Sequence, residues 1–285
     1  MELAAIATTS HVDELIDYIS ADVAEFGADV AVTASTTPHL EVINVTCNDA
    51  KLADRSDLVA RISRAIARCI VDVFEEDVLA RMLHHRYGAV EVAARRNVLA
   101  RAAGHLAVGG YPPAVERSLR AAVVAPVLAS QLRADGALML DGVITFRLPE
   151  YMAVLEEALG QAVDDHLLER EYVEFIRLLR CFVAAQPPRT DRVHLVVRGA
   201  HVRLLDREGR PMALESQPPL ALESLEAAVN YEDVLISALI AAAPTRIVVH
   251  RSQGSASHHV DSVRRVFEAR VERCQLSACG LCAGA

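Results

Sequence analysis

A chain of 285 residues has room for two domains or one large one, at roughly 150 residues per domain, and 52% hydrophobic residues are enough for a sizeable core. Aromatics make up only 4% and Trp is absent, so that core must be aliphatic. The net charge of −9 disfavours non-specific attraction to nucleic acid or to an anionic membrane, and no run reaches the about 18 apolar residues of a spanning helix.

The best apolar run, Val234 to Ala243, contains Ser237 and stops at Pro244. The Met-Glu-Leu start lacks the basic region of a signal peptide. The expectation is a cytoplasmic protein with reduced cysteines, in which metal or redox roles outrank structural disulfides. Lys51 is the only lysine; this Arg bias reads as base composition rather than phosphate binding. Nine Arg against four acids between Arg81 and Arg147 read as solvated helix faces.

In chain order, Leu3 to Thr9 is a short strand. His11 to Phe26 is a helix turned inward at Leu15, Ile16, Ile19 and Val23, with Gly27 as its stop. Asp29 to Thr33 and Leu40 to Thr46 are strands around a Thr-Thr-Pro turn. Ser56 to Tyr87 is a long amphipathic helix with Leu58, Ile62, Ile66, Ile70 and Val73 on one side. His84-His85-Arg86-Tyr87-Gly88 reads as a helix end: basic side chains favour the carbonyl terminus and Gly88 offers a left-handed stop. Helices over Ala89–Ala107 and Pro113–Arg133 follow, separated at Gly109-Gly110-Tyr111-Pro112, with Pro126 a point of kinking or splitting. Asp141-Gly142 suggests a tight turn between strands Ala137–Leu140 and Val143–Arg147.

Pro149 opens a helix carrying Met152, Leu155, Leu159, Val163 and Leu167 inward. A second helix carries Tyr172, Phe175, Ile176, Leu179, Phe182 and Val183 and ends at Pro187-Pro188. Strands are expected at Val193–Arg198, at Val202–Leu205 and, on an edge, at Pro211–Leu214. Asn230 reads as the cap of a helix running to Ala243. Arg246–His250 is a strand and His259–Glu272 the last helix. The fold class expected is α+β: a small antiparallel sheet with long helices, then a second compact mixed α/β unit. The organisation expected is 1–140, 141–273 and a cysteine-containing tail, 274–285.

Several stretches carry a resemblance. They are Asp141 to Tyr151 (DGVITFRLPEY), Glu169 to Gln186 (EREYVEFIRLLRCFVAAQ), Asp191-Arg192-Val193-His194, and above all Asn230 to Ile240 (NYEDVLISALI) with the Ala-Pro after it; Val266-Phe267, Arg270-Val271 and the terminal cysteines are similar too. From Asp141 onward the chain resembles the sporulation protein YtxC family. The resemblance implies a sporulation-associated protein of endospore-forming bacteria. It implies no activity and supplies no residue roles.

Three of the six cysteines, Cys274, Cys279 and Cys282, form a C-x4-C-x2-C array. Such an array binds a soft metal, runs redox chemistry or sits in a loose tail. A C-x2-C pair has the bite for one zinc ion or one iron–sulfur edge. Three thiolates plus one imidazole is a common zinc set, and His250, His258 and His259 are the candidate fourth ligands. Cys47, Cys69 and Cys181 read as core residues.

Two other clusters compete. Asp164, Asp165, Glu169, Glu171 and Glu174 with His166 could serve acid–base or cation chemistry, but read better as a solvated helix face. His194, Glu232, Asp233 and His250 could converge on a helix start, though a cap and two polar strand positions account for them as well. No common nucleotide-binding, serine hydrolase or zinc protease motif occurs. The function read from the sequence is a non-catalytic factor that binds an unknown protein partner, with zinc or an iron–sulfur centre on its tail. A metal-dependent hydrolase of phosphate or nucleotide substrates and a thiol redox sensor stay open as alternatives.

Overall fold

A computed structural model describes residues 2–24, 30–37, 40–47, 55–107, 113–198, 201–212, 225–251, 258–275 and 279–283. It is mixed α and β, as the sequence pattern predicts, and holds two four-stranded sheets, the first of which is mixed where an antiparallel one was expected. The chain forms two compact units, Met1–Leu168 and Glu169–Ala285.

In the first unit, β1 (Glu2–Thr8), β2 (Val30–Thr36), β3 (Glu41–Cys47) and β4 (Ala137–Met139) lie in the order β2-β3-β1-β4. β2 and β1 flank β3 antiparallel, whereas β4 joins β1 in parallel. Helix α1 (Val12–Val23) buries Val12, Leu15, Ile19 and Val23 against the sheet and α2 (Arg55–Cys69). The expected stop at Gly27 and the break at 109–112 lie outside the described residues.

The tight turn expected at Asp141-Gly142 does not form. Helix α5 (Pro113–Asp135), continuous through Pro126, ends at Gly136 in the left-handed region with φ 68°. The Gly136 carbonyl accepts from Ala5 N–H at 3.0 Å, which starts β4 alongside β1. The chain then turns into α6 (Leu140–Phe146). Asp141 is committed there, accepting from Thr9 N–H and Thr9 Oγ1, each at 3.0 Å. The expected division near residue 140 therefore lies inside the first unit.

The long helix over 56–87 contains an interruption. Between α2 and α3 (Glu75–Arg86) runs a π-helical turn, Ile70–Phe74. The wider turn rotates the inward stripe. Phe74 is buried where the regular period expects Val73, and Glu75 is brought to the inner face. Glu75 accepts from Arg120 through both oxygens at 2.9 Å and from Tyr151 Oη at 3.0 Å; Arg120 also donates to the Leu106 carbonyl at 3.1 Å. Burial, then the Glu75 charge, pushes the Tyr151 hydroxyl far above its ordinary pKa. Helix α3 ends at Arg86, where basic residues cluster as expected, but Tyr87 (φ −121°) forms the cap and Gly88 is not left-handed. Helix α4 (Val92–His105) follows.

The two helices expected over 149–183 are one, α7 (Pro149–Ala185), because nothing between Leu167 and Tyr172 interrupts the backbone bonds. The division between the units falls within it. In the second unit, β5 (Thr190–Arg198), β6 (His201–Leu205), β7 (Pro244–Arg251) and β8 (Val271–Arg273) lie in the order β6-β5-β7-β8. β6 is antiparallel to β5; β5, β7 and β8 run parallel. Val193, Leu195 and Val197 with Ile247 and Val249 face a core shared with Leu235 and Leu239 of α8 (Leu225–Ala242) and Val263 and Phe267 of α9 (His258–Phe267).

Helix α8 begins at Leu225, so Asn230 lies within it and is not its cap. Helix α9 stops at Phe267, and a 3₁₀ turn, Glu268–Arg270, leads into β8, where a continuous helix to Glu272 was expected. Of the expected edge strand Pro211–Leu214, a single bridge to Leu205 forms at Pro211; residues 213 and 214 lie outside the described residues.

Candidate metal centre

Parallel pairing of β5 with β7 sets one histidine beside another. His250 pairs with Val196, and His194 lies two residues before Val196, one full pleat away. Both imidazoles therefore stand on the face opposite the apolar core. His194 Nδ1 and His250 Nε2 are 2.8 Å apart, and the rings are tilted at 43° with centroids at 5.0 Å. His250 is only 3% exposed.

The last described residues approach His250. Strand β8 delivers Cys274 beside β7, where Cys274 N–H donates to the Val249 carbonyl at 3.0 Å. Cys279 and the four-residue helix α10 (Gly280–Ala283) close a single turn through Cys282 N–H and the Cys279 carbonyl, 3.0 Å. Sγ of Cys279 and Sγ of Cys282 each lie 3.4 Å from His250 Nδ1. The ligand atoms of His250, Cys274, Cys279 and Cys282 all fall within 4.8 Å of one another, a group that could hold a metal ion. His250 is thus the imidazole that joins the three expected cysteines. His258 and His259 open α9, and their side chains lie outside the described residues.

The electrostatics suit a cation. Burial, and then Arg192, holds His194 below the ordinary histidine pKa; burial, and then His194, does the same for His250. A neutral imidazole is the metal-binding form. Backbone N–H groups, that of Cys282 foremost, lower the Cys279 thiol. Burial, with Cys274 and Cys279 alongside, pushes Cys282 up to about 11. A divalent ion held here would bind the sulfurs as thiolates and offset their mutual repulsion.

The spacing also bears on which metal fits. Tetrahedral zinc, with Zn–S of about 2.3 Å and Zn–N of about 2.0 Å, sets its ligand atoms roughly 3.5–3.8 Å apart. The two 3.4 Å separations come close to that spacing, and the four ligand atoms all lie within 4.8 Å of one another.

The other candidates are not drawn in. Asp233 is exposed on α8, no contact among the described residues joins it to the imidazoles, and the Glu232 side chain lies outside the described residues. Asp164, Glu169, Glu171 and Glu174 are exposed on α7, and the Asp165 carboxylate accepts from His105 Nε2 at 2.9 Å. Cys47 and Cys69 are buried as expected, whereas Cys181 is exposed. The pairing of His194 with His250 was legible only as strand alternation at both positions; nothing local assigns their register.

The profile of the YtxC-like family matches residues 60–272, reaching further toward the N-terminus than Asp141 and stopping two residues before Cys274. The chain is similar to the uncharacterized protein YtxC of Bacillus subtilis (strain 168), 27% identical over 161 residues; that stretch is 50% of this chain and 50% of the relative. The chain thus spans about half the length of this curated relative. No solved structure matches.

Proposed function

We propose that the chain, which belongs to the YtxC-like family, is a non-catalytic, sporulation-associated cytoplasmic factor whose second unit is fixed by one zinc ion held by His250, Cys274, Cys279 and Cys282. The observation that carries the metal reading is the meeting of four ligand atoms from β7, the end of β8 and the C-x2-C turn within 4.8 Å. The sporulation association rests on the family resemblance. The cytoplasmic location rests on the sequence reading; among the described residues no helix is long and apolar enough to cross a membrane.

Four protein ligands fill a tetrahedron. A hydrolytic zinc keeps one position open for water, so this ligand set favours a structural ion over a metal-dependent hydrolase. Elemental analysis of untagged protein tests the reading: one zinc per chain supports it, and a metal-free preparation would favour the thiol redox alternative.

The partner half of the proposal draws on α7. In the second unit this helix exposes Tyr172, Phe175, Leu178 and Phe182 at spacings of three and four, a continuous apolar row. Acids (Glu169, Glu171, Glu174) dominate before Phe175, and Arg177 follows it; Arg180 is already paired with Glu268 at 2.6 Å. Two such helices laid antiparallel set the acids of one against Arg177 of the other, so the contact these observations favour is with a second copy. Light scattering on the purified chain should give a dimer, and Phe175→Asp with Leu178→Asp a monomer. A wild-type monomer at tens of micromolar would remove self-association from the proposal.

A further inference from the structure

The ring nitrogens of His250 face in two directions. Nδ1 points at the sulfurs of Cys279 and Cys282, and Nε2 points at His194 Nδ1, 2.8 Å away. We propose that His194 is the positioning residue of the metal site: it accepts the Nε2 proton of His250 and so fixes the tautomer that binds the ion through Nδ1. This inference rests on the zinc reading above.

An imidazole that ligates through one nitrogen must carry its proton on the other. At 3% exposure His250 has almost no access to water, so that N–H needs a protein acceptor or stays unsatisfied at a cost. The lone pair of His194 Nδ1 is the acceptor in reach, which places the His194 proton on its own Nε2. The arrangement is built by the sheet. Val196 stands opposite His250 in the register, and His194 is the next residue of β5 on the same face, so it arrives without any loop having to order. Outer-shell partners of this kind orient the ring and raise the basicity of the ligating nitrogen, and their loss typically costs 10–100-fold in metal affinity. An Asn side chain carries its Oδ1 as many bonds from Cβ as His carries Nδ1. It can therefore supply the same acceptor, which Ala and Leu cannot.

The test is a zinc competition titration with a chromophoric chelator on the full chain, run on wild type, His194→Ala, His194→Leu and His194→Asn. The expected result is a 10–100-fold weakening in the Ala and Leu variants and a return to within a few-fold of wild type in the Asn variant. A wild type that binds no zinc defeats the underlying metal reading. Wild-type binding matched by His194→Ala overturns the positioning role alone. Equal losses in all three variants overturn the acceptor role, because packing would then be what matters. A second readout does not depend on the variants folding. In ¹¹³Cd-loaded, ¹⁵N-labelled wild type, cadmium should couple to Nδ1 of His250 with the proton on Nε2, and the reverse assignment overturns the proposal.

Discussion

Stripping the metal is expected to lower the unfolding temperature of the second unit by roughly 10 °C. A ligand that binds only the folded state at a hundred times its Kd adds about 2.7 kcal/mol, and a unit of this size shifts by about 4 °C per kcal/mol. The tail has little else to hold it. Strand β8 is three residues long, α10 is four, and their described side chains are partly or fully exposed. The inner sheet, by contrast, has its own aliphatic core in Val193, Leu195, Ile247 and Val249 and should stay folded. Calorimetry before and after chelation checks this. Replacing Cys274, Cys279 and Cys282 together by Ser should reproduce the chelated curve, and chelator should then change nothing further. A triple variant as stable as the zinc-loaded wild type would separate the cysteines from any role in stability.

The second large effect is expected in the first unit. Arg120→Met should cost about 3–5 kcal/mol, because it leaves the Glu75 carboxylate buried without its counter-charge. Glu75 and Arg120 side chains are each 12% exposed, and the pair is bidentate. The Tyr151 hydroxyl alone cannot replace a guanidinium, and the Leu106 carbonyl loses its donor as well. Replacing both partners, with Glu75→Leu added, should recover much of the loss, since an apolar pair carries no desolvation penalty. Urea denaturation of the single and double variants measures both numbers. A cost below about 1 kcal/mol for Arg120→Met would mean that water reaches the carboxylate.

How far the sequence could be read depended on how local each signal was. Helical periodicity placed α1, α5 and the inward Leu155, Leu159 and Val163 of α7, because one turn of backbone decides each position, whereas Leu167, expected inward, and Tyr172, Phe175 and Phe182 further on are exposed. It expected Val73 inward and met Phe74 instead, since one π-helical turn rotates the whole stripe and leaves no composition mark. The Asp141-Gly142 pair carries the chemistry of a hairpin turn, but pairing of β4 with the distant β1 decided the outcome. Leu167 to Tyr172 separates two apolar patterns without a Gly or Pro, and there the helix simply continues. The candidate site follows the same rule. The spacing of Cys279 and Cys282 was legible, as was the reach of Cys274. Choosing His250 from three histidines required the pairing of β8 with β7, which brings Cys274 alongside Val249 and which nothing local to either segment announces. The Glu75–Arg120–Tyr151 network joins residues 45 and 76 positions apart and had no sequence signature at all.

Everything proposed for the second unit follows from a single ion held by one nitrogen and three sulfurs. Zinc-edge X-ray absorption on the purified, zinc-loaded chain addresses it directly. Three sulfurs at about 2.3 Å and one nitrogen at about 2.0–2.1 Å are expected, with no second metal nearby. A shell made mainly of oxygen and nitrogen, or a metal–metal distance in the spectrum, would contradict it.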